Sequence, residues 1–308
     1  MLKDDPAPEA PVAAGPVAVG PVAVGPVAAG PVAAGPVAAG PVAAGPAANA
    51  REPVIRLGAL DLEAHLRDPS RKQAFVTPMF DIIAPRYDAF TRLFSFGMDA
   101  AWKREALASI VQGAHSATHA LDLACGTGDL AVAIARALPN VRVTALDASP
   151  KMIDEANARL ADGAQDHALA SRVTTLVGDM AAIALPTASV DLVTVGYGVR
   201  NVPDPAQSVR EMARVMRPGA LLVTLDFYRP SFTPWRTLLL WYLSVAGNAV
   251  GWWWHRDPIV YGYIARSIDT FMSWQQFSAL LEREGFRVER VARHLSGGIA
   301  VHEALRLD

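Results

Sequence analysis

Leu121-Asp122-Leu123-Ala124-Cys125-Gly126-Thr127-Gly128-Asp129-Leu130 is the stretch that decides the fold. The apolar run His119–Ala124 predicts a strand, the glycines a tight turn, and the periodicity of Leu130–Leu138 a helix. Gly126 and Gly128 let the backbone approach a ligand closely. A Gly-x-Gly turn alone does not separate dinucleotide enzymes from other nucleotide binders. Two details point to S-adenosyl-L-methionine. Ala131 stands where a third glycine would complete the dinucleotide pattern, and Asp122 places an acid inside the strand. A pyrophosphate would be repelled by that carboxylate, whereas a cofactor with an α-amino group and a sulfonium tolerates it.

Strands and helices alternate outward from this turn. Val141–Leu146 reads as a strand ending in Asp147, and Ser149-Pro150 as the N-cap and first position of the next helix. Val173–Val177 and Val190–Val195 read as further strands and Ala206–Met216 as a helix. Arg217-Pro218-Gly219 reads as a turn before a fifth strand, Ala220–Leu225. A helix near Trp235–Trp254, another at Trp274–Glu284, and strands near Phe286–Ala292 and Ile299–Ala304 complete the series. The expected fold is α/β, a doubly wound, mostly parallel, Rossmann-like sheet. Residues 73–111 read as helices broken at Pro85 near Tyr87, a helical lid on the N-terminal side.

Residues 11–45 repeat Pro-Val-Ala-(Ala/Val)-Gly in tandem, which suits neither a helix, a collagen-like Gly-X-Y chain nor a secretory leader. We read residues 1–55 as a disordered repeat tail and 56–308 as the catalytic domain. The net charge of −2 gives no reason to expect nucleic acid as a partner. The single cysteine, Cys125, permits no intramolecular disulfide, suits a reducing cytoplasm, and makes a Cys-based zinc site unexpected; no metal is assigned.

Asp147 ends the second strand, where a carboxylate can accept from both ribose hydroxyls, a role shared with nicotinamide enzymes. Gly178-Asp179-Met180 follows the third strand, where Asp179 can accept from an adenine amino group and Met180 can pack on the ring.

In this order the motifs resemble class I S-adenosylmethionine-dependent methyltransferases, and more narrowly the ubiquinone/menaquinone biosynthesis C-methyltransferase family. Phe80–Asp88, Ser95–Lys103, Leu121–Leu130, Tyr197-Gly198-Val199-Arg200-Asn201-Val202, Arg217–Gly219, Asp226–Pro230, Tyr261–Ser267 and Gly297–His302 carry the resemblance, which covers residues 74–303. The Tyr197–Val202 and Ser95–Lys103 segments are its most specific parts. It implies that Thr127, Asp147, Asp179 and Met180 contact the cofactor, with Asp122, Gly126 and Gly128 in the same site. The chain departs from the family pattern at Asp179-Met180, where the family often has Asn-Ala, and at Gly196, Cys125 and Glu303-Ala304-Leu305.

The implied reaction is methylation of a ring carbon of a prenylated quinol precursor, demethylmenaquinol or a ubiquinone precursor. A ring carbon becomes nucleophilic when a neighbouring hydroxyl ionises, so the acceptor is expected to be the reduced quinol. Arg200 would stabilise the oxyanion, Asn201 would orient the phenol or a water, and Tyr87 would close over the cofactor; the alternative is that Arg200 and Asn201 only fix the loop. His302 is weighed as a base and read instead as structural. Thr237–Trp254 carries no charge over 18 residues. It is expected to line the acceptor pocket and to touch a membrane surface rather than to span it. A homo-oligomer or a quinone-biosynthesis complex is compatible with the resemblance, as is a location in the cytoplasm, peripheral to the inner membrane. Competing readings are a methyltransferase of a water-soluble aromatic metabolite, a noncatalytic scaffold subunit, and a nicotinamide-dependent reductase.

Overall fold

The computed structural model describes residues 69–162, 167–255 and 259–308. The repeat tail assigned to residues 1–55 lies outside the described residues.

Parallel strands covered on both faces read as mainly apolar runs, and the central strands do, whereas the edge strands are more polar and exposed. They are β1 (His119–Leu123), β2 (Arg142–Asp147), β3 (Val173–Val177), β4 (Val190–Gly196), β5 (Met216–Phe227), β6 (Phe286–His294) and β7 (Ile299–Arg306). The sheet order is β3-β2-β1-β4-β5-β7-β6. The pairs β1–β2, β1–β4, β2–β3 and β4–β5 are parallel, and β7 runs antiparallel to both β5 and β6. Successive residues feed opposite layers. Ala120, Leu192 and Val223 join one apolar cluster, and Leu121, Val193 and Leu222 the other. The chain reverses its direction of winding at β1 and β4, so their carboxyl ends open the crevice where ligands bind in such sheets.

Among the described residues, three helices precede the sheet: α1 (Pro69–Ile83), α2 (Tyr87–Phe94) and α3 (Asp99–Gly113). Pro85 sits in a 3₁₀ turn, Ala84–Arg86, between α1 and α2, the break expected there. Phe75, Val76, Met79, Ile83 and Phe90 of these helices bury against Met152 and Tyr263 and so cover the carboxyl ends of the strands. The helices between strands are α4 (Asp129–Ala137), α5 (Pro150–Asp162), α6 (His167–Ala170) and α7 (Pro205–Val215). The Ser149 hydroxyl accepts from the Met152 amide at 3.1 Å, as an N-cap should. The C-terminal helices are α8 (Thr233–His255), α9 (Ile259–Thr270) and α10 (Trp274–Arg283).

The sequence reading differs at β5. Arg217-Pro218-Gly219 does not precede the strand; it bulges out of it. The register with β4 jumps from Val190↔Met216 to Leu192↔Leu221, and Gly219 takes φ +77° in the bulge. Helix α9 was also unforeseen. Among the described residues, no helix is long and apolar enough to cross a membrane.

Candidate active site

The chain leaves β1 through a turn built on left-handed residues. Ala124, Gly126 and Gly128 have φ of +50°, +55° and +77°. A Cβ on Gly128 would lie 3.1 Å from Ala156 Cβ, so glycine there lets α5 pack against the turn. A Cβ on Gly126 would face the ring of Tyr87 at 3.8 Å. Asp147 ties the end of β2 to the turn. Its Oδ2 accepts from the Gly126 amide at 2.8 Å and its Oδ1 from the Ser149 amide at 2.9 Å. Burial raises its pKa, and the two amides pull the other way.

Three chambers meet at this point. The first, about 610 Å³, is lined by Gly126, Asp147, Asp179, Met180, Asn201 and Tyr87. The expected ribose and adenine residues therefore share one cleft. Met180 is buried; Asp179 is exposed, and its Oδ1 accepts from the Ala181 amide at 2.8 Å.

The second chamber, about 500 Å³, is lined by Asp122, Gly126 and Thr127 together with Asp88, Lys103 and Tyr87. Asp122 is buried. Its Oδ1 accepts from the Thr194 hydroxyl at 2.6 Å, and its Oδ2 is hydrogen-bonded to nothing among the described residues. Burial pushes its pKa up to about 7, against weaker opposing pulls from Thr194 and the Ala131 amide. An orphaned carboxylate oxygen beside a glycine turn fits the α-amino group of S-adenosylmethionine. Opposite it, Lys103 Nζ donates to Asp129 at 2.7 Å and can face the carboxylate of the same cofactor. The Thr127 hydroxyl donates to Asp88 at 2.8 Å, and Arg159 bonds to both Thr127 and Asp88. These contacts fasten α2 over the turn. Gly128 packs on α5 and is not among the residues lining the first two chambers.

The third chamber, about 650 Å³, lies under the lid and is lined by Tyr87, Asp99, Trp102, Arg200, Phe227 and Tyr263 among others. Arg200 is buried. Its Nη1 donates to Asp226 Oδ1 and to the Tyr197 carbonyl, both at 2.8 Å, and its guanidinium lies 5.3 Å from the centre of the Phe227 ring. Its Nε has no partner among the described residues. Asp226, fully buried, also accepts from the backbone amides of Arg200 at 3.2 Å and Phe227 at 2.7 Å. Asn201 is placed differently from Arg200. It lines the first chamber, donates from Nδ2 to the Tyr197 carbonyl at 2.9 Å and accepts from the Tyr263 hydroxyl at 3.0 Å. Lys72 Nζ donates to the carbonyls of Arg200 and Val202, each at 2.8 Å, and burial lowers its pKa to about 8.

His302 lines none of the three chambers. It is buried beside Tyr228 and Phe277, its Nε2 is 3.1 Å from the Ser278 hydroxyl, and burial lowers its pKa to about 4. The structural reading of this histidine holds.

A family profile described as the ubiE/COQ5 methyltransferase family matches residues 68–306. The chain belongs to this family. It is 32% identical to the demethylmenaquinone methyltransferase of Lactiplantibacillus plantarum, over 74% of this chain and 94% of that protein. It is 34% identical to the ubiquinone/menaquinone biosynthesis C-methyltransferase UbiE of Geotalea daltonii, over 69% of this chain and 88% of the relative. Among solved structures, it resembles a chain of the Haloferax volcanii complex of the Trm112 methyltransferase activator with a methyltransferase. The TM-score is 0.52 at 18% identity, covering 74% of this chain and 98% of that one. An O-methyltransferase family protein of Burkholderia thailandensis gives a TM-score of 0.51 at 17% identity, covering 78% and 63%. These two likenesses concern the fold, and it is the class I methyltransferase fold. The protein is an S-adenosylmethionine-dependent C-methyltransferase, which sets aside the nicotinamide-dependent reductase.

Asp88, Lys103 and Lys72 are among the site residues that the sequence did not single out. Asp88 and Lys103 lie at the ends of segments that carried the family resemblance, but their partners are 39 and 26 positions away, and those of Lys72 are 128 and 130. No local pattern encodes such pairings.

Proposed function

We propose that this methyltransferase transfers the methyl group to a ring carbon of a prenylated quinol, demethylmenaquinol or a ubiquinone precursor, and so works in quinone biosynthesis. The observation that carries this reading is an apolar gallery of about 900 Å³ that continues the third chamber. The two cavities share Phe94, Ser95, Trp102, Phe227 and Leu243. The chamber offers Arg200, Asp99 and tyrosines to a ring bearing oxygens, and the gallery offers only hydrocarbon and aromatic surface beyond Ser95. That division suits an amphiphile with a polar ring and a long isoprenoid tail, each buried CH₂ of which contributes about 0.8 kcal/mol. A water-soluble metabolite would leave the gallery without a use. The names of the relatives point the same way.

When bound, S-adenosylmethionine supplies an electrophilic methyl group on its sulfonium. The residues of this chain align and protect the reacting atoms, and positioning of this kind supplies most of the rate in such a displacement. In this reading Asp122 holds the ammonium and Asp147 the ribose, while Asp179 and Met180 receive the adenine. Tyr87 closes over the cofactor from α2. Arg200 Nε faces the negative charge that the acceptor oxygen takes on when its hydroxyl ionises and makes the ring carbon nucleophilic. Asn201 holds the Tyr197 carbonyl and the Tyr263 hydroxyl in register. At the gallery mouth, Phe96, Trp241 and Leu238 are exposed by 74%, 63% and 54%. This supports peripheral contact of a cytoplasmic enzyme with the membrane that holds the acceptor.

The test is the quinone content of cells lacking the protein, read by mass spectrometry. The proposal expects loss of the mature quinone and accumulation of a species lighter by one methyl group, both reversed by the intact gene. An unchanged quinone pool refutes it.

A further inference from the structure

Tyr197 is the site residue that neither the sequence argument nor the roles above employ as a side chain. Resting on the quinol reading, we propose that the Tyr197 hydroxyl donates a hydrogen bond to the ring oxygen of the acceptor, beside Arg200 Nε.

Three independent observations converge on it. First, Tyr87 and Tyr197 are the two residues that line all three chambers. Methyl transfer must take place where the cofactor clefts open on the acceptor chamber, and these two rings stand there. Second, Tyr197 holds φ +60°, a left-handed backbone that bulky residues rarely adopt. The surroundings over-determine this conformation. The Tyr197 amide donates to the Leu225 carbonyl at 2.7 Å, and its own carbonyl receives both Arg200 Nη1 and Asn201 Nδ2. The Arg-Asn pair therefore fixes where the Tyr197 ring points, and Phe227 supports that ring at 5.5 Å. Third, the Tyr197 hydroxyl is buried and has no hydrogen-bond partner among the described residues. The Tyr87 hydroxyl, by contrast, is not among the buried groups left without a partner. A buried hydroxyl without a partner is costly to the free protein, and a ligand oxygen arriving beside it removes that cost.

The chemistry suits the acceptor. Burial holds the Tyr197 pKa well above the ordinary tyrosine value, with Asp99 and Asp226 acting in the same direction and the Arg200 guanidinium against it. The phenol therefore stays protonated and can serve as a donor throughout the neutral range. A donor of fixed protonation, aimed by two backbone clamps, stabilises the phenolate whose ionisation makes the ring carbon nucleophilic, and does so without reorganising.

The experiment compares the full chain with Tyr197→Phe, which removes one oxygen and keeps the ring. The acceptor is a reduced naphthoquinol bearing a short isoprenyl tail. The proposal expects turnover to fall roughly a hundredfold. Affinity for S-adenosylmethionine by calorimetry should stay within about twofold, and the melting temperature should be unchanged or higher because no protein partner is lost. Turnover within twofold of the parent overturns the proposal. So does a lowered melting temperature, which would show the hydroxyl bonded within the fold, or a matching loss of cofactor affinity, which would give it to the cofactor. If the parent enzyme itself methylates no quinol, the quinol reading fails and this inference falls with it. Slow turnover confined to Tyr197→Phe supports both.

Discussion

Replacing Asp122 by asparagine should make the cofactor-free protein more stable at alkaline pH and less able to bind its cofactor. Asp122 is buried with one oxygen unpartnered, and its pKa rises from 3.8 to about 7. A carboxyl whose folded pKa is raised contributes stability that is fully present below the unfolded value and is lost as pH rises through the folded one. The difference of about three pKa units corresponds to about 4 kcal/mol lost between pH 4 and pH 8, of which about 2 kcal/mol falls between pH 5 and pH 7. Asparagine does not titrate, so the Asp122→Asn protein loses none of this. Its stability relative to the parent should therefore climb by about 2 kcal/mol over that window. The binding effect has the opposite sign. An ammonium at the orphaned oxygen makes a charge-assisted hydrogen bond of about 1.5–3 kcal/mol, so affinity for S-adenosylmethionine should drop roughly tenfold or more at pH 8. Urea unfolding of the cofactor-free proteins across pH, with calorimetry at pH 8, reads both. Parallel stability profiles, or unchanged affinity, would refute the placing of the cofactor ammonium at Asp122.

Asp147→Ala should weaken cofactor binding by about 2–4 kcal/mol through the lost ribose bonds. It should also lower the melting temperature, because the Gly126 and Ser149 amides lose their acceptor. Arg200→Ala should lower turnover and also destabilise the fold by about 3–5 kcal/mol, since it strands Asp226 as a buried charge. Adding Asp226→Asn to Arg200→Ala should recover much of that stability and leave turnover low, whereas recovered turnover would mean that Arg200 only fixes the loop. Deleting residues 1–50, whose Pro-Gly repeats offer no core-forming pattern, should leave activity and melting temperature nearly unchanged; a drop of many degrees would place them in contact with the domain.

The sheet was legible because its central strands are covered on both faces. Runs such as His119–Ala124 and Val190–Val195 are mainly apolar, and the Gly126–Gly128 turn marks where the first of them ends. The bulge in β5 was not legible. Arg217-Pro218-Gly219 has turn composition, and only pairing with β4 decides whether such residues end a strand or interrupt it. The acids that end strands β2 and β3 were readable from position alone, since a strand's carboxyl end determines what they can face. The ion pair of Arg200 was not. Its pairing with Asp226 spans 26 positions and links the turn after β4 to the end of β5. Tyr197 was quoted as part of a motif without its side chain being singled out. Flanking glycines announce a sharp turn, but they do not reveal that the tyrosine takes the left-handed position and keeps its hydroxyl unpartnered.

The central claim is methylation of a ring carbon of a prenylated quinol, and direct transfer tests it most closely. The purified enzyme is given S-adenosylmethionine labelled with ¹³C in the methyl group, and the same naphthoquinone in reduced and oxidised form, each with and without an isoprenyl tail. Product is read by mass and by carbon NMR. The account predicts a labelled methyl on a ring carbon, formed from the reduced acceptor and fastest with the tailed one. A label on oxygen, equal transfer to the oxidised ring, or no transfer to any of the four would contradict it.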